Sequence, residues 1–444
     1  MLQTIFYIPS HLPGGIPMFG FGLLLAVWAA FCIVLFSWLV WRQGFNADTW
    51  SYVPIFLLVA AVIVWLLPAI AKGPGLPIRG YGVMVLAAVL AGAALAAYRA
   101  KRVGVSPDVI YTAIFWMVVP GIFGARVFYV TQYWFKEYWD FYEHGGLKSL
   151  LWAIVNISEG GLVIYGGFFG SMVGLFLFVR KYRVPLLPLL DLLTPSLMLG
   201  LALGRIGCLL NGCCFGGVCH HGPAIYFPAS TPIESAGSDH HEETPQRIPA
   251  YDSQVERGQF YGFAISSNEN VLPEVVAVEK DSVAEKKGLK KGQLIEKINN
   301  LSVEKAGQAH RLMAEAFYEK LPLKIEMSKG ETVVLPAFDT LPAQSLPVYP
   351  TQLYSTIDAF IICLLLLAYA PFCRRDGELF ALLASIYPVT RFLIEILRND
   401  EAPIRGTGMT ISQNVSLLIL LCTACLWYYL SKQPKGFVFG KKDN

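Results

Sequence analysis

Charge is what this sequence has least of. Only 15% of its 444 residues are Asp, Glu, Lys or Arg, against roughly 25% in a soluble globular chain. With 55% hydrophobic residues and a mean hydropathy of +0.50, this scarcity excludes an ordinary soluble domain and implies a chain that lives in a bilayer. The net charge of +3 is too small an excess for a nucleic-acid partner. No secretory leader is expected, because Met1 to Gly15 carries no basic segment and the first apolar run is too long for a leader core. Nine cysteines are too few for a disulfide scaffold in a chain of this length, although four of them cluster.

About 20 apolar residues in helix cross a bilayer core. Runs of that kind occupy 16–41, 52–71, 80–98, 109–133, 162–180, 186–210, 353–372, 378–397 and 412–431, nine in all. The least apolar are 109–133, with Arg126, and 186–210, with Asp191 and Arg205. Lys and Arg mark cytoplasmic loops. Here they follow every odd-numbered span: Arg42, then Arg99, Lys101 and Arg102, then Arg180, Lys181 and Arg183, then Arg374 and Arg375, and finally Lys432, Lys435, Lys441 and Lys442. The C-terminus is therefore expected in the cytoplasm, with the N-terminus and segment 211–352 outside.

That outer segment changes character along its length. Residues 215–254 are rich in Pro, Ser and His and read as loop, whereas 256–338 read as a small α+β domain. Strands are expected at Gln259–Ser266, Glu274–Glu279, Leu294–Ile298, Leu323–Met327 and Thr332–Leu335. A helix with Ala309, Leu312, Met313, Ala316 and Phe317 on its apolar face lies between the third and fourth. The stretch resembles a PDZ domain of the bacterial protease type. The resemblance is carried by Tyr261-Gly262-Phe263-Ala264-Ile265, by Val275, Val276 and Val278, by Ser282-Val283-Ala284, and by Gly288-Leu289 with Gly292-Gln293-Leu294-Ile295. A PDZ fold implies an amide nest for a peptide carboxylate and a strand edge for a peptide or protein ligand.

Chemistry-bearing residues gather at the ends of spans. Arg205, in Gly204-Arg205-Ile206-Gly207-Cys208-Leu209-Leu210-Asn211-Gly212, ends a span on its outer side. It can grip a phosphate bidentately, or simply snorkel to the interface. Tyr387, Arg391, Glu395 and Arg398 fall within about 80° of one helix face. Ionisable groups inside a span are costly and seldom idle, so this stripe reads as a phosphodiester headgroup site, with a structural ion pair as the alternative. Glu159-Gly160-Gly161 and Tyr165-Gly166-Gly167 permit close helix contact or an irregular start to a span. Tyr81, in Arg79-Gly80-Tyr81-Gly82, and Arg126 stand at the outer ends of their own spans. Cys208, Cys213, Cys214 and Cys219 precede His220 and His221. Their spacing is not that of a zinc knuckle, and adjacent cysteines seldom ligate one ion. An outer position favours disulfides or free thiols, with a metal site and a catalytic thiol as the alternatives.

Taken in order, these pieces resemble the prolipoprotein diacylglyceryl transferase family. Gly204, Arg205, Gly207, Asn211 and Gly212 match its G-R-x-G-N-x-x-N-G-E signature, and Pro350, Gln352, Leu353 and Tyr354 its H-P-S-Q-L-Y motif. Tyr387, Arg391 and Glu395 match its Y-x-x-x-R-x-x-x-E run, and Tyr81 and Gly82 its early Y-G. The resemblance implies an all-α polytopic protein of the bacterial inner membrane, with about nine transmembrane helices. A seven-helix core would follow two extra N-terminal helices and carry the PDZ-like domain as a periplasmic insert. The expected units are 1–72 for the extra pair, 73–214 and 339–444 for the two parts of the core, 215–255 for a periplasmic loop, and 256–338 for the insert.

The resemblance also implies an activity: transfer of diacylglyceryl from phosphatidylglycerol to the lipobox cysteine of a preprolipoprotein, with no cofactor and no metal. Arg205, Arg391, Glu395, Tyr387 and Tyr165 would form the catalytic set. Tyr81, Arg126, Gly166, Gly167, Asn211, Gln352, Tyr354 and Arg398 would bind substrate. Four departures stand out. The family's H-G-G histidine is Tyr165 here, its signature asparagine is Cys208, and its signature glutamate is Cys213. The histidine before Pro350 is Tyr349. A phenol near pKa 10 is a poor base at neutral pH, so a divergent lipid-binding relative and a PDZ-bearing membrane scaffold stand as alternatives.

Overall fold

The computed structural model describes residues 3–12, 15–50, 52–71, 75–134, 138–155, 161, 163–230, 247–269, 271–328, 330–398 and 407–439. Glu159, Gly160, residues 231–246 of the outer loop, Lys441 and Lys442 lie outside the described residues.

The chain opens with a strand that the sequence reading did not anticipate. β1 (Thr4–Pro9) pairs antiparallel with β2 (Gly75–Arg79), and Tyr7 lies opposite Pro77. Between them run α1 (Leu23–Gln43), α2 (Ala47–Trp50), α3 (Val53–Ala61), a π turn at Val62–Leu66 and α4 (Leu67–Ile70). Pro68 has no N–H to give the helix ladder, and it follows directly on this change of pitch. The boundary expected at 72 is thus crossed by a two-stranded clasp.

The membrane core consists of α5 (Gly80–Arg102), α6 (Pro107–Tyr133), α7 (Trp139–Val155), α8 (Ile164–Tyr182) and α9 (Leu186–Asn211), continued after the insert. Small residues set its seams. A Cβ on Gly124 of α6 would lie 2.5 Å from the Gly166 carbonyl oxygen of α8, so the two backbones touch. On α9, a Cβ on Gly207 would meet Tyr81 and Met84 of α5 at 3.2 Å. α7 is a further element absent from the sequence reading. Arg126 on α6 donates to the carbonyls of Ala153 (2.6 Å) and Ile154 (2.8 Å) at its end, and to Gly161 (2.9 Å).

By length and composition, seven helices among the described residues can cross a membrane: Leu23–Arg42, Gly80–Arg102, Pro107–Tyr133, Leu186–Asn211, Thr351–Phe372, Glu378–Ile396 and Ile411–Lys432. Two of the nine expected spans fall short of that measure. The 52–71 span is divided by the π turn, and the 162–180 span is the 19-residue α8, which has Arg180 and Lys181 in its last turn.

The insert is an α+β unit of α10 (Pro249–Glu256), β3 (Phe263–Ile265), β4 (Val275–Val278), α11 (Val283–Lys286), β5 (Ile295–Ile298), β6 (Leu301–Ser302), α12 (Ala306–Tyr318), β7 (Leu323–Met327) and β8 (Thr332–Leu335). β3 pairs with β4, and an antiparallel sheet runs β6-β5-β7-β8. β7 buries alternate residues, as a strand with one covered face must. Its Leu323, Ile325 and Met327 meet Met313 and Phe317 of α12 in one core. Tyr251 and Val255 of α10, which fall in the stretch read as loop, belong to the same core. Arg257 carbonyl accepts from Ile265 N–H (3.2 Å), and His310 Nε2 donates to the Ser266 carbonyl (3.0 Å). The chain's own residues therefore close on the C-terminal end of β3.

The core resumes with α13 (Thr351–Tyr369), α14 (Glu378–Ile396) and α15 (Ile411–Lys432). Asp191, expected only as a weak point of its span, reaches across to cap α14. Its carboxylate accepts from Gly377 N–H (2.6 Å) and Phe380 N–H (2.8 Å), where the positive end of the helix dipole favours an anion. Arg99 binds the neighbouring carbonyls of Asp191 and Leu192, each at 2.7 Å.

Candidate lipid and acceptor site

The site is assembled where α9 ends. Gly212 takes the left-handed conformation (φ 71°) that terminates the helix, and two residues later Cys214 does the same (φ 60°) without glycine's freedom. The loop so formed is stitched to two other helices. Gln352 Nε2 donates to the Cys213 carbonyl and Thr351 Oγ1 to the Cys214 carbonyl, both at 2.8 Å, from the first turn of α13. Gly216 N–H donates to Tyr349 (2.9 Å), and Gly217 N–H to Leu397 at the end of α14 (2.9 Å). A Cβ on Gly216 would fall 2.7 Å from that of Tyr349, so the close approach needs glycine there.

On α14 the expected stripe forms an ion ladder. Glu395, whose side chain has no exposed surface, pairs with Arg391 one turn before it and lies 3.8 Å from Arg398 Nε. Arg391 also donates to Ser412 Oγ on α15 (3.1 Å). Arg398 leads on to the α9 loop through its bridge with Gly216. Cys214 lies in that loop, and its thiol is held far below the usual range. Hydrogen bonds from Cys208 and Cys213 dominate the shift, and the guanidiniums of Arg398 and Arg205 add to it. Arg205 and Arg398 thus both lie within electrostatic reach of Cys214. Tyr81 stands at the same place, within the field of Arg205 and all three cysteines.

Two cavities adjoin this cluster. A cleft of about 370 Å³ runs into the membrane core between α5, α6 and α9, lined by Val85, Val89, Met117, Leu197, Gly200 and Gly204. Gly204, the residue before Arg205 in the chain, is part of its lining. A second cavity of about 900 Å³ lies between core and insert, with Arg398, Tyr349, His220 and His221 on one side and Phe263, Val278 and Glu279 on the other. The apolar cleft includes Gly204 of α9, and the outer cavity includes Arg398 at the end of α14.

Other expected site residues take varied positions. Asn211 is the last residue of α9, and its carbonyl accepts from Gln3 Nε2 (3.0 Å). Gln352 is fully buried beneath the cysteine loop. Tyr354 is half-buried on α13, and Tyr387 packs against the Met198–Ile362–Leu383 cluster. Tyr165 stands in the first turn of α8 and is 39% exposed. Gly166 lies in the α6–α8 seam, a Cβ on Gly167 would be 3.6 Å from that of Ala125, and Arg126 caps α7. The sequence reading passed over Asp358 in mid-span on α13, which accepts from Thr390 Oγ1 of α14 (2.9 Å). A lone carboxylate in an apolar run was the signal that could have found it.

A family model described as prolipoprotein diacylglyceryl transferase matches residues 68–429. The chain belongs to the prolipoprotein diacylglyceryl transferase family. A phosphatidylglycerol--prolipoprotein diacylglyceryl transferase of Rhodopirellula baltica is 31% identical, aligned over 95% of this chain and 87% of its own. A transferase of the same description from Clostridium perfringens is 24% identical over 78% of this chain and 89% of its own. One from Trichormus variabilis is 36% identical over 34% of this chain and 49% of its own. This family member, like the family at large, is an integral membrane transferase, and its apolar helices are those of such an enzyme.

Proposed function

We infer that this chain transfers the diacylglyceryl unit of phosphatidylglycerol to the cysteine thiol of a prolipoprotein. The observation that carries the reading is the convergence of Arg205 and Arg398 on one loop, with an apolar cleft on one side and a polar cavity on the other. The cleft of about 370 Å³ takes the glyceryl-proximal part of the acyl chains, whose remainder lies in the bilayer. The phosphate then lies at the two guanidiniums, which stabilise the charge that grows on the leaving glycerol phosphate. The acceptor approaches from the outer cavity, its sulfur attacks the glyceryl methylene, and the C–O bond to phosphate breaks. Glu395 and Arg391 hold Arg398 and the end of α14 in register. Tyr81 borders the headgroup, while Tyr387, Gln352, Tyr354 and Asn211 support the walls. Tyr165, in the first turn of α8, is assigned to substrate as a hydrogen-bond donor rather than as a base.

The same reading takes the chain as nine membrane helices, with 1–72 an appended pair and 73–214 and 339–444 the catalytic core. Basic residues after alternate helices support a cytoplasmic C-terminus and a periplasmic insert. The order of elements from β3 to β7, and the left-handed Gly262 (φ 82°) before β3, support a PDZ-like fold for 256–338. α10, packed in the core of that domain beside α12, supports a groove filled from within. The insert then serves as the outer wall of the acceptor cavity.

The test is direct. Purified protein in detergent, given phosphatidylglycerol and a lipobox peptide, should yield peptide heavier by one diacylglyceryl unit in mass spectrometry. Arg398→Ala should lower the turnover about 10²–10³-fold, as loss of one charge-stabilising donor does. Full turnover in that variant, or no product from wild-type protein, rejects the assignment.

A further inference from the structure

We propose that Cys208, Cys213 and Cys214 form a three-sulfur site for a thiophilic divalent cation of the zinc class, whose open coordination position takes the sulfur of the acceptor cysteine. The three Sγ atoms lie within 4.8 Å of one another. Zn–S bonds of about 2.3 Å set tetrahedral sulfurs roughly 3.8 Å apart, so small side-chain rotations close the set. None of the three is in a disulfide.

Spacing alone argues against such a site, because neighbouring side chains normally diverge. The backbone removes that objection. Gly212 (φ 71°) ends α9 and Cys214 (φ 60°) turns the chain again, so two adjacent sulfurs and one from the preceding helical turn face a common centre. Left-handed backbone is unfavourable at a residue with a Cβ. Here it is held by the 2.8 Å bonds from Thr351 and Gln352 to the two cysteine carbonyls. Three thiolates and a dication leave one net negative charge, and Arg205 and Arg398 stand beside it.

Three protein ligands with a fourth position open are the pattern of catalytic zinc, and structural sites are closed. A thiol that binds such an ion gives up its proton. The inference rests on the transferase reading above and supplies what that reading lacks, a way to make a thiolate where the family histidine is Tyr165. The acceptor S–H proton leaves to water as sulfur joins the ion. A sulfur lone pair then forms the S–C bond to the glyceryl methylene. The C–O electron pair departs with glycerol phosphate, and the ion keeps its charge throughout.

Full-length reduced protein in detergent should be titrated with Co(II) alone, a spectroscopic stand-in for zinc. One equivalent should give an intense sulfur-to-cobalt absorption. Cys208→Ser and Cys213→Ser should lose it, whereas Cys422→Ser on an exposed membrane face should keep it. Unfolding midpoints of the two variants without metal check that they fold. A lipobox peptide should shift the band, and the same peptide with Ser for Cys should not. Stripping the ion with a chelator should lower diacylglyceryl transfer at least tenfold. Co(II) well below one equivalent, or a band indifferent to both substitutions, overturns the site. Full transfer by metal-free protein overturns its role while leaving the transferase reading intact. A peptide-sensitive band in protein that transfers no lipid upholds the sulfur site and removes the transferase reading instead.

Discussion

Glu395 has no contact with water, and a carboxylate in that position stays ionised only beside cations. Arg391 and Arg398 supply them. Arg391→Ala should therefore lower unfolding stability by about 3–5 kcal/mol, the cost of breaking a buried ion pair from one side. Arg391→Lys should recover part of it, with both read from denaturant unfolding in detergent. An unchanged midpoint for Arg391→Ala contradicts the ladder. Helical spacing made the ladder legible, since residues four and three apart share a face whatever surrounds them. The cysteine cluster was not legible in the same way. Its geometry depends on a left-handed Cys214, which nothing in the residue type requires. Arg126 was ambiguous in the sequence for a related reason. An arginine at a span end reads alike whether it meets a phosphate or the open carbonyls of a helix such as α7.

Among elements, the seams decide where lipid can go. α6 and α8 meet backbone to backbone at Gly124 and Gly166 and leave no room between them. Gly204 is different: a Cβ built on it meets nothing within 4 Å, and it lines the apolar cleft. Gly204→Phe should fill that space, raising KM for phosphatidylglycerol about tenfold, the equivalent of roughly 1.4 kcal/mol. The unfolding midpoint should hold. A KM equal to that of wild type would mean that acyl chains lie elsewhere. Five strands of the insert were legible because a two-residue apolar period is a local signal. The β1–β2 clasp was not, because Thr4–Pro9 finds its partner some seventy residues later and neither strand alternates cleanly. α7 was missed because it is neither apolar enough for a span nor patterned enough for a surface helix.

Across the whole molecule, the insert and the core line one cavity, and the proposed reading gives the insert the acceptor's side of it. Removing 256–338 should raise KM for a lipobox peptide at least tenfold while leaving KM for phosphatidylglycerol unchanged, both measured by product mass. Equal changes in the two constants would assign the insert a purely structural role. The polytopic helical character could be drawn from the sequence because the bilayer fixes helix length and repels charge, and seven helices among the described residues are long and apolar enough to span it. The joining of three helix ends at one cysteine loop could not, because no single segment encodes it.

α14 is anchored at both poles. Asp191 holds its first turn, and the Glu395 ladder, with the bridge from Gly216, holds its last. A post fixed top and bottom makes a poor door. On the proposed reading, a two-tailed lipid then slips in sideways at the cleft lined by α5, α6 and α9, and the spent headgroup leaves upward into water while the modified acceptor drifts back out through the same side.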